Sequence, residues 1–221
     1  MLLFAHLGIT LGTAVMVAGA NERLNTINQS RASEDLIDES SNVGKPKAIY
    51  RVVGSWFETL GRNVDIRALL LGSLISDIID KPIGHWLLAD SLNNGRIFSH
   101  SLIFFVLLLL TGWFLHTHYG NSFVLGISFG VFMHLILDSM WLNPRVLLWP
   151  FLGFAFEQAE SGNFFIQLLN SLRHIDIFIP EIIGLLIVCG FGFLLIKKKV
   201  IWQFLMAGHM DLPNPDIMGH Q

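Results

Sequence analysis

His134 and Asp138 stand four residues apart in GVFMHLILDSMWL, a spacing that on a helix projects both side chains from one face and lets them grip a single ion. Asp77 and Asp80, in GSLISDIIDKPIG, are three apart and about 60° from one another round a helix. Two carboxylates so placed can share a metal or divide the roles of ligand and base. His100 opens the run SHSLIFFVLLLL, and His6 lies near the start of the first apolar run. Mixed imidazole and carboxylate donors suit Zn²⁺ first, and also Mn²⁺ or Fe²⁺. The expected chemistry is a divalent metal ion held by His6, His100, His134 and Asp138, with Asp77 and Asp80 as catalytic residues. The metal lowers the pKa of its water towards about 7, and one of the two carboxylates accepts a proton as that water attacks an ester or phosphoester. Plainer structural roles exist: Lys81 and Arg96 can neutralise Asp77 and Asp80, and His134 with Asp138 can be a packing pair.

These residues must be positioned by elements that cross lipid. Of 221 residues 52% are hydrophobic and 14% charged, and Phe outnumbers Tyr eighteen to two, a membrane composition. The expected fold is all-α, a polytopic membrane helix bundle of about five transmembrane segments over 2–20, 66–89, 97–116, 122–142 and 180–196. Each helix needs about 20 residues to cross. An aspartate at a helix centre costs about 2.5 to 3.5 kcal/mol, so three ask for roughly 9 kcal/mol of compensation. A bound cation can supply it, since structural zinc is worth about 10 to 16 kcal/mol. Gly126 and Gly130 continue the face of His134 and allow a neighbouring helix to come close.

Between the first two spans, 21–65 reads as a polar loop ending in an amphipathic helix in AIYRVVGSWFETLGR, suited to the membrane interface. Pro144 and Pro150 are expected to break any helix in 143–179, whose aromatics suit headgroup depth. Residues 1–208 form one membrane-embedded domain, and 209–221 a flexible tail. No Lys or Arg precedes the first apolar core, so it reads as a retained span rather than a cleaved signal. His116 and His118 fall in the turn HTHYGN, His85 lies about 140° round from Asp80, and Cys189 is a packing residue. Net charge is only −3 and no basic cluster interleaves with aromatics, so no direct nucleic-acid binding is expected.

Orientation follows from basic residues. An outward N-terminus with five crossings leaves Arg23, Arg31, Lys45, Lys47, Arg51, Arg62, Arg67 and Lys197 to Lys199 inside, against Arg96, Arg145 and Arg173 outside. All six candidate residues then lie towards the outer leaflet.

The strings LLFAHLGITLG, GSLISDIIDKPIG, GRIFSHSLIF, HLILDSMW and LLWPF give the chain, from residue 1 to about 155, a resemblance to the membrane-bound metal-dependent hydrolase family. That family is also described as LexA-binding, inner membrane-associated hydrolases. The resemblance implies a prokaryotic cell-membrane protein with a hydrolytic metal site, and its polar positions fall on His6, Asp77, Asp80, His100, His134 and Asp138. Many members carry a DIDH string where this chain reads DIIDK, so no histidine role is carried over there. The expected partners are the bilayer and a lipid or lipid-linked substrate. Two other readings compete: a non-catalytic scaffold or regulatory protein with a structural cluster, and a proton or ion pathway. Segments three and four offer a pathway little beyond Thr111 and Ser128.

Overall fold

The computed structural model describes residues 3–34, 64–84, 94–153, 156, 170 and 172–208. The described residues are all helical or irregular, with no strand. In chain order the helices are α1 (Leu3–Glu34), α2 (Ile66–Pro82), α3 (Leu102–Tyr119), α4 (Phe123–Leu137), a single turn α5 (Pro144–Leu147), α6 (Ile175–Lys197) and α7 (Ile201–Ala207).

Local chemistry explains the ends. Asp65 caps α2 by accepting from the backbone N–H groups of Arg67 and Ala68, and Ser101 caps α3 by accepting from Phe104. Gly120, at φ 66°, closes α3 in the left-handed conformation that only glycine adopts without cost.

Among the described residues three helices are long and apolar enough to cross a membrane: α1 through Leu3–Asn21, α3 and α6. Helix α4 is apolar but shorter, with 15 residues. The lipid-facing side of α3 exposes Leu107, Leu110, Trp113 and Phe114. Helix α2 is the hub, since Ile66 and Leu69 pack with Leu11 and Val15 of α1 and Phe191 of α6, while Ala68 packs with Ile127 and Val131 of α4.

Glycine sets the two closest crossings. A methyl group at Gly8 would collide with the backbone of Gly184, so α1 and α6 touch there backbone to backbone. The same holds for Gly72 against Ile127 and for Gly130 against Leu69 and Ser73, while Gly126 faces Ala68. Helices α2 and α4 therefore run parallel in close contact, as Gly126 and Gly130 led one to expect. Gly112 of α3 abuts Val124 and Leu125, which makes α3 and α4 an antiparallel hairpin. The starts of α1, α3 and α6 thus share one end of the bundle with the ends of α2 and α4.

Several boundaries differ from those expected. Helix α1 does not stop at residue 20 but runs on through polar sequence to Glu34, so the loop expected from residue 21 is helical for its first fourteen positions. Helix α3 begins at Leu102 rather than 97 and reaches Tyr119, which puts His116 and His118 in its last turn. Pro144 opens the one-turn α5 instead of breaking it, because proline at the first helical position sacrifices no hydrogen bond. The amphipathic stretch at 48–62, His85 and the tail 209–221 lie outside the described residues.

Candidate metal centre

Helix α1 contributes His6, fully buried on the face it turns towards α2 and α4. Helix α2 contributes a polar stripe at helical spacing, Ser73, Ser76, Asp77 and Asp80, of which all but Asp77 are completely buried. The next contribution comes from the turn before α3. Ser76 Oγ donates to the Ser99 carbonyl at 3.1 Å and Ser99 Oγ returns a bond to the Ser76 carbonyl at 2.8 Å, which pins that turn to α2. Asp80 completes the attachment by accepting from the backbone N–H of Ile97 at 2.7 Å and of Ser99 at 3.0 Å. His100, carried by this turn, is fully buried, and its Nδ1 lies 2.8 Å from Asp80 Oδ2.

Helix α4 supplies the last pair. His134 Nδ1 lies 2.7 Å from the Ser73 carbonyl oxygen, which can only accept, so Nδ1 carries the proton and Nε2 presents its lone pair. Asp80, acting as an acceptor, fixes the same tautomer on His100. The two Nε2 atoms face one another at 3.1 Å. Two neutral rings in these tautomers would set lone pair against lone pair, which either a proton shared as an N–H···N bond or a cation between them relieves. Two nitrogens at 2.0–2.1 Å from a tetrahedral zinc stand about 3.3 Å apart, so the spacing fits.

Asp138 is the C-cap of α4 rather than a residue within it, yet it keeps the expected i, i+4 relation, its N–H bonding to the His134 carbonyl at 2.9 Å. Its Oδ2 lies 3.7 Å from His100 Nε2 and 3.9 Å from His134 Nε2. Asp77 Oδ1 lies 3.6 Å from the first and 3.8 Å from the second. One ligand atom from each of Asp77, His100, His134 and Asp138 falls within 4.8 Å of all the others, a group that could hold a metal ion.

All six candidate residues converge at one end of the bundle, but not in one layer. His6 touches the far oxygen of Asp138, Nε2 to Oδ1 at 3.2 Å, and its ring centroid lies 4.2 Å from that of His134 with the planes tilted by 31°. Asp80 sits behind His100. Asp77 bonds Lys81 at 2.6 Å, so the ion pair foreseen for Lys81 forms. Arg96 pairs at 2.7 Å with Asp138 and not with either acid of α2. The Ser73 carbonyl and the Ser76–Ser99 pair also serve the site, beyond the six residues expected from the sequence. Their signal was the run of small polar residues at spacing three and four along an otherwise apolar α2.

A family model described as YdjM inner membrane protein matches residues 45–208, which include every candidate residue except His6. No curated protein and no solved structure matches the chain. The family match and three apolar helices of spanning length make this a multi-pass integral membrane protein.

Proposed function

From the premise that the chain belongs to the YdjM inner membrane protein family, we propose that it is a metal-dependent hydrolase acting on an ester or phosphoester of a membrane lipid or lipid-linked molecule. The observation that carries this reading is the pair of imidazole Nε2 atoms 3.1 Å apart, each with its Nδ1 already committed. His100, His134 and Asp138 are the residues that hold the ion, zinc first, in a three-ligand set of the kind that leaves a position open. When bound, the ion supplies Lewis acidity, which polarises the substrate oxygen and acidifies water.

The remaining work belongs to the chain. Asp77 also walls a cleft, and its Oδ1 faces both histidines, so it is the group to accept the proton from attacking water. Asp80 takes no proton, since its oxygens are occupied by backbone N–H groups and His100, and it positions His100 instead. His6 braces Asp138. Five crossings, with α2 and α4 spanning as well, give the alternation that gathers these groups at one leaflet within a single domain.

The test is to purify the full chain in detergent, measure its metal by elemental analysis, and assay mixed lipid esters with and without chelator. Asp77→Asn is expected to keep the metal and to lower turnover by about 10²–10⁴-fold, the usual worth of a positioned general base. A preparation without metal, or turnover that survives its removal, overturns the reading.

A second reading is a non-catalytic membrane scaffold or regulatory protein. The Lys81–Asp77 and Arg96–Asp138 pairs favour it, because they offset two of the three buried carboxylates without any ion. It predicts a stable bundle with no bound metal and no turnover.

A further inference from the structure

A cleft of about 750 Å³ opens beside the cluster, between α1, α2 and α6. That volume lies within the roughly 300–1,000 Å³ of ligand-binding clefts. Its walls are apolar over most of their extent, with Phe4, Leu74, Ile78, Phe178, Ile182 and Leu185. The polar groups among its lining residues are Asp77, Lys81 and Glu181.

Glu181 is 6% exposed on a helix of spanning length. Its Oε2 accepts from the backbone N–H of Phe4 at 3.0 Å, capping the first turn of α1. Among the described residues its Oε1 is buried with no hydrogen-bond partner. A carboxylate oxygen left unpaired in apolar surroundings is costly, and such groups mark sites where something else supplies the donor. Lys81, half exposed at the same cleft, offers a positive charge to an anion.

We propose that the cleft seats one acyl chain of a glycerophospholipid whose headgroup donates a hydrogen bond, the chain lying between Ile78 and Ile182, the phosphate at Lys81 and the headgroup donor at Glu181 Oε1. As the substrate class of the hydrolase, this rests on the reading above and brings the lipid's ester groups beside Asp77. As a binding site it stands without that reading. Ethanolamine and glycerol headgroups donate through N–H and O–H, whereas choline has no such hydrogen. Glu181 is then the residue that discriminates among headgroups.

The experiment uses the full chain in phosphatidylcholine vesicles containing a trace of phosphatidylethanolamine with a diazirine at the end of one acyl chain. After irradiation, labelled peptides are mapped. Label is expected on the cleft-lining residues of α2 and α6, with competition from unlabelled phosphatidylethanolamine and phosphatidylglycerol but not from added phosphatidylcholine. Ile182→Trp, which fills the cleft, is expected to lower labelling about tenfold, and Glu181→Met to abolish the headgroup preference, so that the bulk phosphatidylcholine displaces the trace probe and all three headgroups compete alike. Label spread evenly over the lipid-facing side of α3, or equal competition by phosphatidylcholine against the wild-type chain, overturns the proposal whether or not the variants fold. Running the labelling beside the hydrolysis assay on protein not treated with chelator and supplied with zinc separates the two readings. Headgroup-selective label in a protein that hydrolyses nothing under those conditions sustains the lipid site and removes the hydrolase.

Discussion

Asp80 shows how much a single carboxylate can organise without touching an ion. It gathers the N–H groups of Ile97 and Ser99 together with the Nδ1 of His100, so it both shapes the turn and sets the tautomer of the ring. Asparagine there keeps one acceptor oxygen and replaces the other with an amino group, so either the Ser99 N–H at Oδ1 or the Ile97 N–H and His100 Nδ1 at Oδ2 meet a donor instead of an acceptor. Asp80→Asn is expected to weaken metal affinity about 10–100-fold while the bundle persists, as read by chelator competition and far-ultraviolet circular dichroism. Unchanged affinity would remove Asp80 from any role in the site. The identities of the six polar residues were legible in the sequence because acids and imidazoles within apolar runs stand out. Their division of labour was not. Whether Arg96 meets Asp77, Asp80 or Asp138 depends on how a turn folds back on a helix, and one-dimensional spacing does not encode that.

Among elements, the α2–α4 crossing governs the site most directly, because the Ser73 carbonyl that orients His134 lies at the point where Gly130 admits the neighbouring backbone. Gly130→Leu is expected to force the helices apart, at about 1–3 kcal/mol of stability, and to lower thermal stability in detergent together with metal content. Loss of stability alone, with metal retained, would uncouple the crossing from the site. At the opposite end, Asp65 caps α2 and bonds Arg67, whose Nη1 in turn donates to the carbonyls of Leu205 and Met206 at 3.0 Å each, tying down α7. Burial alone would raise the Asp65 carboxyl, but the side-chain and backbone hydrogen bonds of Arg67 outweigh it and hold the group below the usual carboxylate value. The folded value is the lower one, so this clasp contributes stability above about pH 3.9 and loses it as pH falls further. Hydrogen exchange at the Ile66 amide, bonded to the Gly208 carbonyl, should lose protection in that window, and Asp65→Asn should flatten the response. The spans of α1, α3 and α6 were readable because apolar runs are long. The continuation of α1 to Glu34 was not, since its polar residues lack the apolar period that marks a helix in sequence.

For the whole molecule, the proposed five alternating crossings require residues at the Tyr119 end and residues at the Ser139 end to face opposite compartments. With Cys189 replaced by serine, single cysteines at Thr117 and at Ser139 are expected to react with an impermeant maleimide from different sides of intact cells, Ser139 from outside. Labelling of both from one side would break the alternation. The class of fold followed from composition alone, whereas the parallel pairing of α1 with α6 and α2 with α4 rests on glycines whose partners lie far along the chain. One consequence follows from His6 and Asp138 being neighbours in space. Nothing like the finished pocket can exist on a nascent chain until the fourth helix has left the ribosome and entered the bilayer. Up to that moment His6 lacks Asp138 and His100 lacks His134, although Asp77 already has Lys81 and Asp80 already has His100. On the proposed metal-site reading, cation capture therefore waits for α4 to join α1 and α2 and can precede the insertion of α6.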